Sequence, residues 1–385
     1  MKSGDVATSQ KPQTAPDPIT VRVVIAGGGT GGHLYPGIAV AREWLARQPD
    51  ARISFAGTAR GIEARVVPRE GFALDLIRSG GLKGKSLTDR LRGAMLLPLG
   101  IGDAWRIVSA RRPDLVIGVG GYSSGPVVLV AALRGVPTML LEQNAVPGLT
   151  NRLLARYVRA AGVSFASTTK FFGSKAFVSG NPVRPEFVAA VGHLQESHAD
   201  EHAAITRVLV FGGSQGAHAI NVAMVAAASE LAAGGAALHI THQTGERDVE
   251  MVRAGYREAG IQADVEPFLY DMGRQLGRAD VIVCRAGATT LAEITAAGRA
   301  AVLIPLPTAT DDHQRKNAEA LAGAGAAEIL PQSDLTGHAL AARIRDLAAD
   351  PVRRARMARA AREMAKPDAA SVIVARALEL IGRSG

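Results

Sequence analysis

Two stretches of this chain, VRVVIAGGGTGGH beginning at Val21 and TRVLVFGGSQGAH beginning at Thr206, align at an offset of 185 residues, down to His33 opposite His218. Each is a β-branched run that ends in a glycine-rich turn and enters helix-forming sequence. Glycines at such a junction admit positive φ and let a ligand approach bare backbone, while the first turn of the following helix aims unpaired N–H groups at it. Strand, glycine turn and helix in that order open a βαβ unit. Their repetition predicts two α/β domains with parallel sheets, facing one another across a cleft. A length of 385 residues suits two cores of roughly 150–200 residues each.

The rest of the chain keeps this rhythm. VRVVIA, RISFAG, DLVIGV, VPTMLLE and GVSFA read as strands of the first unit, with a helix from about Leu34 to Arg47. RVLVFGG, ALHITHQ, ADVEPFL, ADVIVC, AAVLIPL and AAEIL read as strands of the second. The first domain is expected over residues 21–180 and the second over 181–367, with Ser179 to Arg184 as the hinge. The helical tail from about Pro351 breaks at Lys366-Pro367, and its last segment, 368–385, is expected to cross back to the first domain. Residues 1–20 are polar and proline-bearing and read as a disordered lead, not a signal peptide. No apolar run approaches the ~20 residues that a membrane-spanning helix needs, which predicts a chain that stays in the cytoplasm.

Charge is unevenly spread. Residues 21–180 hold 21 Lys and Arg against 9 Asp and Glu, a net +12, whereas residues 181–385 hold 21 against 24, a net −3. The basic half is expected to meet an anionic surface or a phosphorylated substrate. Nucleic acid is the weaker choice, since aromatics are only 4% of the chain and no basic run is interleaved with them. The single Cys284 excludes an internal disulfide and, closing DVIVC, reads as a buried thiol. No metal site is expected: there is no Asp-x-Asp triplet, and His193, His198 and His202 stand in a polar stretch that reads as solvent-exposed.

Gly27-x-Gly29-x-x-Gly32 formally matches a dinucleotide fingerprint, but the next strand, RISFAG, ends without the acid that would hold a ribose, and no Lys-Ser/Thr follows either turn. An NAD-dependent dehydrogenase is thereby disfavoured. His33 stands at a helix entrance where a group in the cleft would meet it, or else caps its helix. The second turn, Gly212 to Ala217, offers N–H donors and the Ser214 hydroxyl, which otherwise reads as an N-cap. In CRAGATTLAEI, Thr290-x-x-Glu293 spells a capping box. The same Glu293, one turn into a helix holding a diphosphate, is alternatively placed to accept both hydroxyls of a ribose. PLPTATDDHQRKNAEAL puts Asp311, Asp312, His313, Gln314 and Asn317 just beyond a strand's carboxyl end, where open α/β sheets bind ligands and amides suit sugar hydroxyls.

Taken in order, GGGTGGHLYPGIAVA, GGYSSGPVVLVAAL, EQNAVPGLTNRLLA, GNPVR, GGSQGAHAIN, CRAGATTLAEI and HQRKNA resemble the MurG family of bacterial glycosyltransferases over nearly the whole chain from Val21. The resemblance implies an α/β GT-B fold, two Rossmann-like parallel-sheet domains facing a cleft, with no cofactor and no metal. It implies inverting transfer of N-acetylglucosamine from UDP-GlcNAc to the C4 hydroxyl of undecaprenyl-diphospho-N-acetylmuramoyl-pentapeptide (lipid I), giving lipid II in peptidoglycan biosynthesis. The nearest rival is another GT-B enzyme with a nucleotide-sugar donor and a different acceptor; a non-catalytic nucleotide-sugar sensor is a third reading.

Carried over by motif, the resemblance puts the donor on the second domain. Arg184 and Leu269 lie beside the uracil, Gly213 and Ser214 at the diphosphate, and Asn221 on the donor side. Ala288, Thr289 and Thr290 line the phosphates and sugar, Glu293 the ribose, and His313 with Gln314 the GlcNAc hydroxyls. Thr30, Gly31, Gly32 and Asn144 reach the donor from the first domain, whose turn, with Gly28 and Gly29, also faces the acceptor's diphosphate; Tyr122, Glu142 and Asn144 lie near the acceptor's sugar. The implied catalytic residues are His33, first choice for general base, and Glu142. Two positions depart from the family pattern: Leu141 replaces a frequent histidine before Glu142, and His313 stands where some relatives carry a second glutamine.

A lipid-linked acceptor requires the enzyme to come to the membrane. Residues 82–106 combine Lys83, Lys85, Arg90 and Arg92 with Leu87, Leu91, Met95, Leu96, Leu97 and Trp105. Such a stretch is expected to rest reversibly on an anionic bilayer, each cation contributing about 1 kcal/mol. The expected location is the cytoplasmic face of the bacterial plasma membrane, with other cell-wall synthesis proteins as further partners.

Overall fold

The protein's structure, a computed structural model, describes residues 20–80, 87–183, 205–213, 216–235 and 237–382, with side chains at all of these except 87–95. Residues 1–19, Lys83, Lys85, Arg184, His193, His198, His202 and Ser214 lie outside the described residues, as do the side chains of Leu87, Arg90, Leu91, Arg92 and Met95.

The apolar runs form two sheets in which every neighbouring pair is parallel. In the first, β1 (Arg22–Gly27), β2 (Arg52–Gly57), β3 (Ala73–Leu76), β4 (Leu115–Gly120), β5 (Thr138–Glu142), β6 (Ala160–Val163) and β7 (Ala176–Val178) take the order β3-β2-β1-β4-β5-β6-β7. In the second, β8 (Thr206–Phe211), β9 (Leu238–Gln243), β10 (Ala263–Glu266), β11 (Val281–Cys284), β12 (Ala300–Leu303) and β13 (Ala327–Ile329) take the order β10-β9-β8-β11-β12-β13. Both are the doubly wound order, with helices on both faces. Central strands such as β4, β5, β11 and β12 are buried throughout, which is why they read as unbroken apolar runs rather than alternating ones.

The duplication extends to the ends of the central strands. Arg22 N donates to Asp114 Oδ2 at 2.8 Å, and Arg207 N donates to Asp280 Oδ2, also at 2.8 Å, each aspartate standing immediately before the strand that pairs with β1 or β8. One expected strand is shifted. GVSFA was to be a strand, but β6 pairs Ala160 with Met139 and ends at Val163, and Ala166 already begins a 3-10 turn. The register with β5 decides this, since Glu142 is the last residue of β5. The edge strands β3 (ALDL) and β7 (AFV) are short and incompletely buried, and they lack a run that would announce them.

The terminal helix Ala369–Leu380 packs Ile373, Val374, Ala377 and Leu378 into the first sheet's core beside Trp44 and Leu34. The chain passes between the domains twice, once at Gly180 and once near Lys366. At the first crossing Gly180 takes φ +82°, and a Cβ there would lie 2.2 Å from Lys366 Cβ, so the two crossings brace one another.

Candidate active site between the two sheets

In each sheet the strand order reverses beside the first strand, between β1 and β4 and between β8 and β11. Chains diverge to opposite faces at such a point and leave a crevice at the strands' carboxyl ends. The two crevices face each other across a cavity of about 450 Å³. Thr30, Gly32, His33, Tyr122, Glu142 and Asn144 line it from the first domain; Gly287, Ala288, His313 and Gln314 line it from the second. Thr289 Oγ1 reaches across to the Gly32 carbonyl at 3.4 Å, and Arg152 meets Asp311 at 3.4 Å.

The first turn takes φ of +152°, +154° and +87° at Gly27, Gly28 and Gly29 before the helix Gly31–Arg47 begins. Gly27 and Gly28 have no room for a side chain: a Cβ would lie 2.5 Å from Val119 Cγ2 and 2.4 Å from Glu63 Cδ respectively. A Cβ at Gly31 would lie 2.9 Å from the Tyr35 ring. Thr30 is the N-cap without a side-chain cap, so neither it nor His33 spends its side chain on the helix end. Thr30 Oγ1 lies 3.3 Å from His33 Nδ1, and the ring also bonds the Gly28 carbonyl. Desolvation holds His33 below the ordinary histidine range, His313 pushes it lower, and the Gly28 carbonyl and Glu63 oppose them more weakly. The imidazole is therefore neutral at pH 7 and keeps one ring nitrogen able to accept a proton.

Glu142, 3% exposed, is saturated by its own loop. Oε1 accepts from Asn144 N at 3.0 Å and Asn144 Nδ2 at 3.2 Å, and Oε2 accepts from Gly148 N at 3.0 Å and Asn151 Nδ2 at 2.8 Å. Burial raises its pKa while these four donors pull it down. With its Nδ2 held there, Asn144 turns Oδ1 toward the second domain, where Asn317 Nδ2 donates to it at 3.1 Å. Tyr122 stays 42% exposed at the cavity's mouth.

On the opposite wall the helix Ala288–Ala297 starts behind Gly287, an N-cap in extended conformation with no side-chain cap. The capping box spelled by Thr290 and Glu293 does not form, because Thr290 is already the third helical residue; Glu293 falls in the second turn, half-buried. The unpaired amides at the helix start thus open on the cavity. Gln314 Oε1 accepts from Ala286 N at 3.2 Å and Leu306 N at 3.0 Å, tying two loops together. Asp311 and Asp312 both take left-handed φ, +56° and +54°, immediately before the helix His313–Gly323. Two such non-glycine residues in succession are strain of the kind that gathers at binding sites.

Other expected donor residues lie away from the cavity. Leu269 N donates to Gln243 Oε1 at 3.2 Å while Gln243 Nε2 donates to the Gly213 carbonyl at 2.7 Å, so one buried glutamine joins the second turn to the Leu269 loop. Asn221 is 1% exposed: Nδ2 donates to Thr244 O at 2.9 Å and Asp248 Oδ2 at 2.8 Å, and Oδ1 meets His242 Nε2 at 3.0 Å. Its amide is committed to the domain's interior. His218, aligned with His33, pairs with Asp248 at 2.9 Å instead of facing the cleft. Cys284 is buried, and desolvation raises its thiol pKa.

Sequence reasoning passed over Gln243, Asn151 and Glu63, and it set Asn317 among the amides suited to sugar hydroxyls, whereas that side chain is buried and bonded to Ala145, Asn144 and Ala286. Glu63 had a signal: the 185-residue offset that aligns the turns also aligns Glu63 with Asp248.

Comparison with known proteins agrees with this geometry. Residues 23–163 match the N-terminal domain of glycosyltransferase family 28, and residues 207–373 match its C-terminal domain. The UDP-N-acetylglucosamine--N-acetylmuramyl-(pentapeptide) pyrophosphoryl-undecaprenol N-acetylglucosamine transferase of Anaeromyxobacter dehalogenans is 48% identical over 364 residues, 94% of each chain. The protein of the same name from Myxococcus xanthus is 48% identical over 353 residues, 91% of this chain and 90% of that one. The crystal structure of Acinetobacter baumannii MurG superposes with a TM-score of 0.78 at 33% identity, covering 93% of this chain and 99% of that one.

Proposed function

Since the chain belongs to glycosyltransferase family 28 and to its MurG branch, we infer that it transfers N-acetylglucosamine from UDP-GlcNAc to lipid I, forming lipid II for peptidoglycan. The observation that carries this reading is the cavity between the two switch points, where a neutral histidine on the first domain faces an uncapped helix start on the second. Single displacement at the anomeric carbon needs those two things on opposite sides of the sugar. A base takes the proton of the C4 hydroxyl as the new bond forms, and fixed donors receive the charge that develops on the departing UDP.

In this reading His33 is the base. The amides of Ala288, Thr289 and Thr290, with Gly213 and Ser214, stabilise the diphosphate. Glu293 accepts the ribose hydroxyls, Leu269 and Arg184 flank the uracil, and the Gln314 amide nitrogen, whose oxygen partner is already engaged, donates with His313 to GlcNAc hydroxyls. Thr30, Gly31 and Gly32 close over the donor as Thr289 draws the domains together. Tyr122 and Asn144 hold the acceptor sugar, and Glu142 acts by holding Asn144. Asn221 acts on the donor side only through the loop it supports.

Among the described residues no helix is long and apolar enough to cross a membrane. On the helix Leu87–Arg111, however, Leu97, Leu99, Ile101 and Trp105 are 43–56% exposed, with the Arg134 guanidinium 4.7 Å from the Trp105 ring. That apolar surface in the basic half supports peripheral binding at the cytoplasmic face of the plasma membrane, where lipid I and other cell-wall enzymes are met. The direct test is UDP release from UDP-GlcNAc on addition of a lipid I analogue, compared with UDP-GalNAc. Acceptor-dependent release with UDP-GlcNAc is expected. His33→Ala should lower turnover by roughly a hundredfold or more while UDP still binds; a full rate in that variant removes His33 from the chemistry.

A further inference from the structure

We propose that Glu63 is a positioning residue of the acceptor-side site: its carboxylate, sealed beneath the first glycine turn, fixes that turn's shape and through it the placement of His33. The proposal rests on His33 being the base. Glu63 is the first residue of the helix Glu63–Arg69 and is 0% exposed. Oε2 accepts from Gly29 N at 2.8 Å; Oε1 accepts from Thr58 N and Thr58 Oγ1, both at 2.8 Å. Thr58 Oγ1 in turn accepts from Gly61 N at 3.1 Å. Three glycines form a cradle around the carboxylate: a Cβ at Gly28, Gly57 or Gly61 would lie 2.4, 2.6 or 2.0 Å from its atoms. Glycine at these positions makes room for an internal anion.

Two consequences follow for the turn. The Gly29 amide, which in an open phosphate-binding turn would point at the ligand, is directed inward and occupied. With the next residue so anchored, the Gly28 peptide is held beside the His33 ring. Glu63 thus fixes, through one peptide unit, the backbone on which the ring of the base rests. Two ionisable side chains bear on the ring, Glu63 from below and His313 from the second domain. The carboxylate raises the histidine's pKa, so removing its charge lowers that pKa.

The test is Glu63→Gln in the full chain, with kcat and KM from UDP release over a pH series, UDP affinity by calorimetry, and the His33 ring titration by NMR, its signal identified by its loss in His33→Gln. We expect kcat to fall about tenfold to a hundredfold, UDP affinity to hold within about twofold, and both the His33 titration and the acid limb of kcat/KM to move to lower pH. A lower melting temperature with an unmoved titration would make Glu63 a purely structural acid and overturn the proposal. Should Glu63→Gln not fold, Thr58→Val, which removes one donor and keeps the charge, carries the test: kcat should drop several-fold with the acid limb in place, and an unchanged kcat overturns the idea. A shifted His33 titration together with full activity in His33→Ala would instead leave Glu63 in its positioning role and reject the reading of His33 as the base.

Discussion

Asn317 is 0% exposed at the seam between the domains, and its amide makes three bonds there. Oδ1 accepts from Ala145 N at 2.8 Å, and Nδ2 donates to Asn144 Oδ1 at 3.1 Å and to Ala286 O at 3.3 Å. The first two partners belong to the loop that Glu142 organises, and the third leads into the helix start at Gly287 and Ala288. One side chain therefore aligns the Glu142 loop of the first domain with the helix start at Gly287 in the second. At about 1 kcal/mol net per bond, and with two of the three bonds crossing between the domains, Asn317→Ala should cost about 2 kcal/mol of closure, roughly thirtyfold in the closed population. Asn317→Asp is the sharper probe. It keeps an acceptor for Ala145 N but turns its second oxygen toward Asn144 Oδ1 and Ala286 O, neither of which can donate, so at pH 7.5 it should be worse than alanine. Protonating that aspartate restores one donor, and its activity should recover partly as pH falls while the alanine variant's does not. The assay is kcat and KM for both substrates over a pH series, with UDP affinity measured separately. Activity within twofold of the parent in both variants, or an aspartate variant better than the alanine one at pH 7.5, would refute the coupling.

Three further outcomes are expected. His242, buried between Tyr256 and Asn221, is pushed down to about 3 by desolvation; unfolded, it titrates near 6.5. Its contribution to stability is present above pH 6.5 and lost below, by about 2 kcal/mol on going to pH 5. In urea titrations at pH 8 and 5, His242→Asn should lose about that much less than the parent, and equal losses would reject the assignment. Trp105→Ser should weaken binding to anionic vesicles by roughly tenfold, about 1.4 kcal/mol for half an indole no longer buried; unchanged co-sedimentation would move the membrane face elsewhere. Gly216 takes φ +73°, and a Cβ there would lie 1.8 Å from the Thr244 carbonyl. Gly216→Ala should therefore weaken UDP binding by at least about tenfold, and an unaltered calorimetric titration would separate the second turn from the donor.

The central strands, both glycine turns and the cavity's outline were legible in the sequence because buried parallel strands write continuous apolar runs and glycine marks where the backbone bends through positive φ. The edge strands β3 and β7 were not, since a strand with one neighbour and partial burial needs no apolar run. At the site, what could be read was residue type near a strand end; what could not was which polar side chains face inward. Asn221 and His218 stand in a motif that promises ligand contact, yet both bond Asp248. Gln243 ends β9 with nothing local to single it out, and it joins two loops far apart in the chain. Side-chain direction at these positions is decided by tertiary hydrogen bonds that no local pattern encodes.

The duplicated acids show how one frame acquires two roles. Glu63 and Asp248 stand 185 residues apart, the same offset as the turns, and each is at or beside the start of the helix after the domain's second strand. In the first domain the acid has the reach to take the Gly29 amide, and the turn folds down over it. In the second the acid is one methylene shorter, and among the described residues its partners are the side chains of His218, Asn221 and Arg247. A carboxylate under a turn opposes an approaching diphosphate, whereas an acid that faces an arginine opposes it less. In the proposed function this favours the second domain for the anionic end of the donor. On the proposal made for Glu63, the first domain's turn would then serve to shape the histidine, and the difference between the two acids comes down to one CH2 group and the neighbours it reaches.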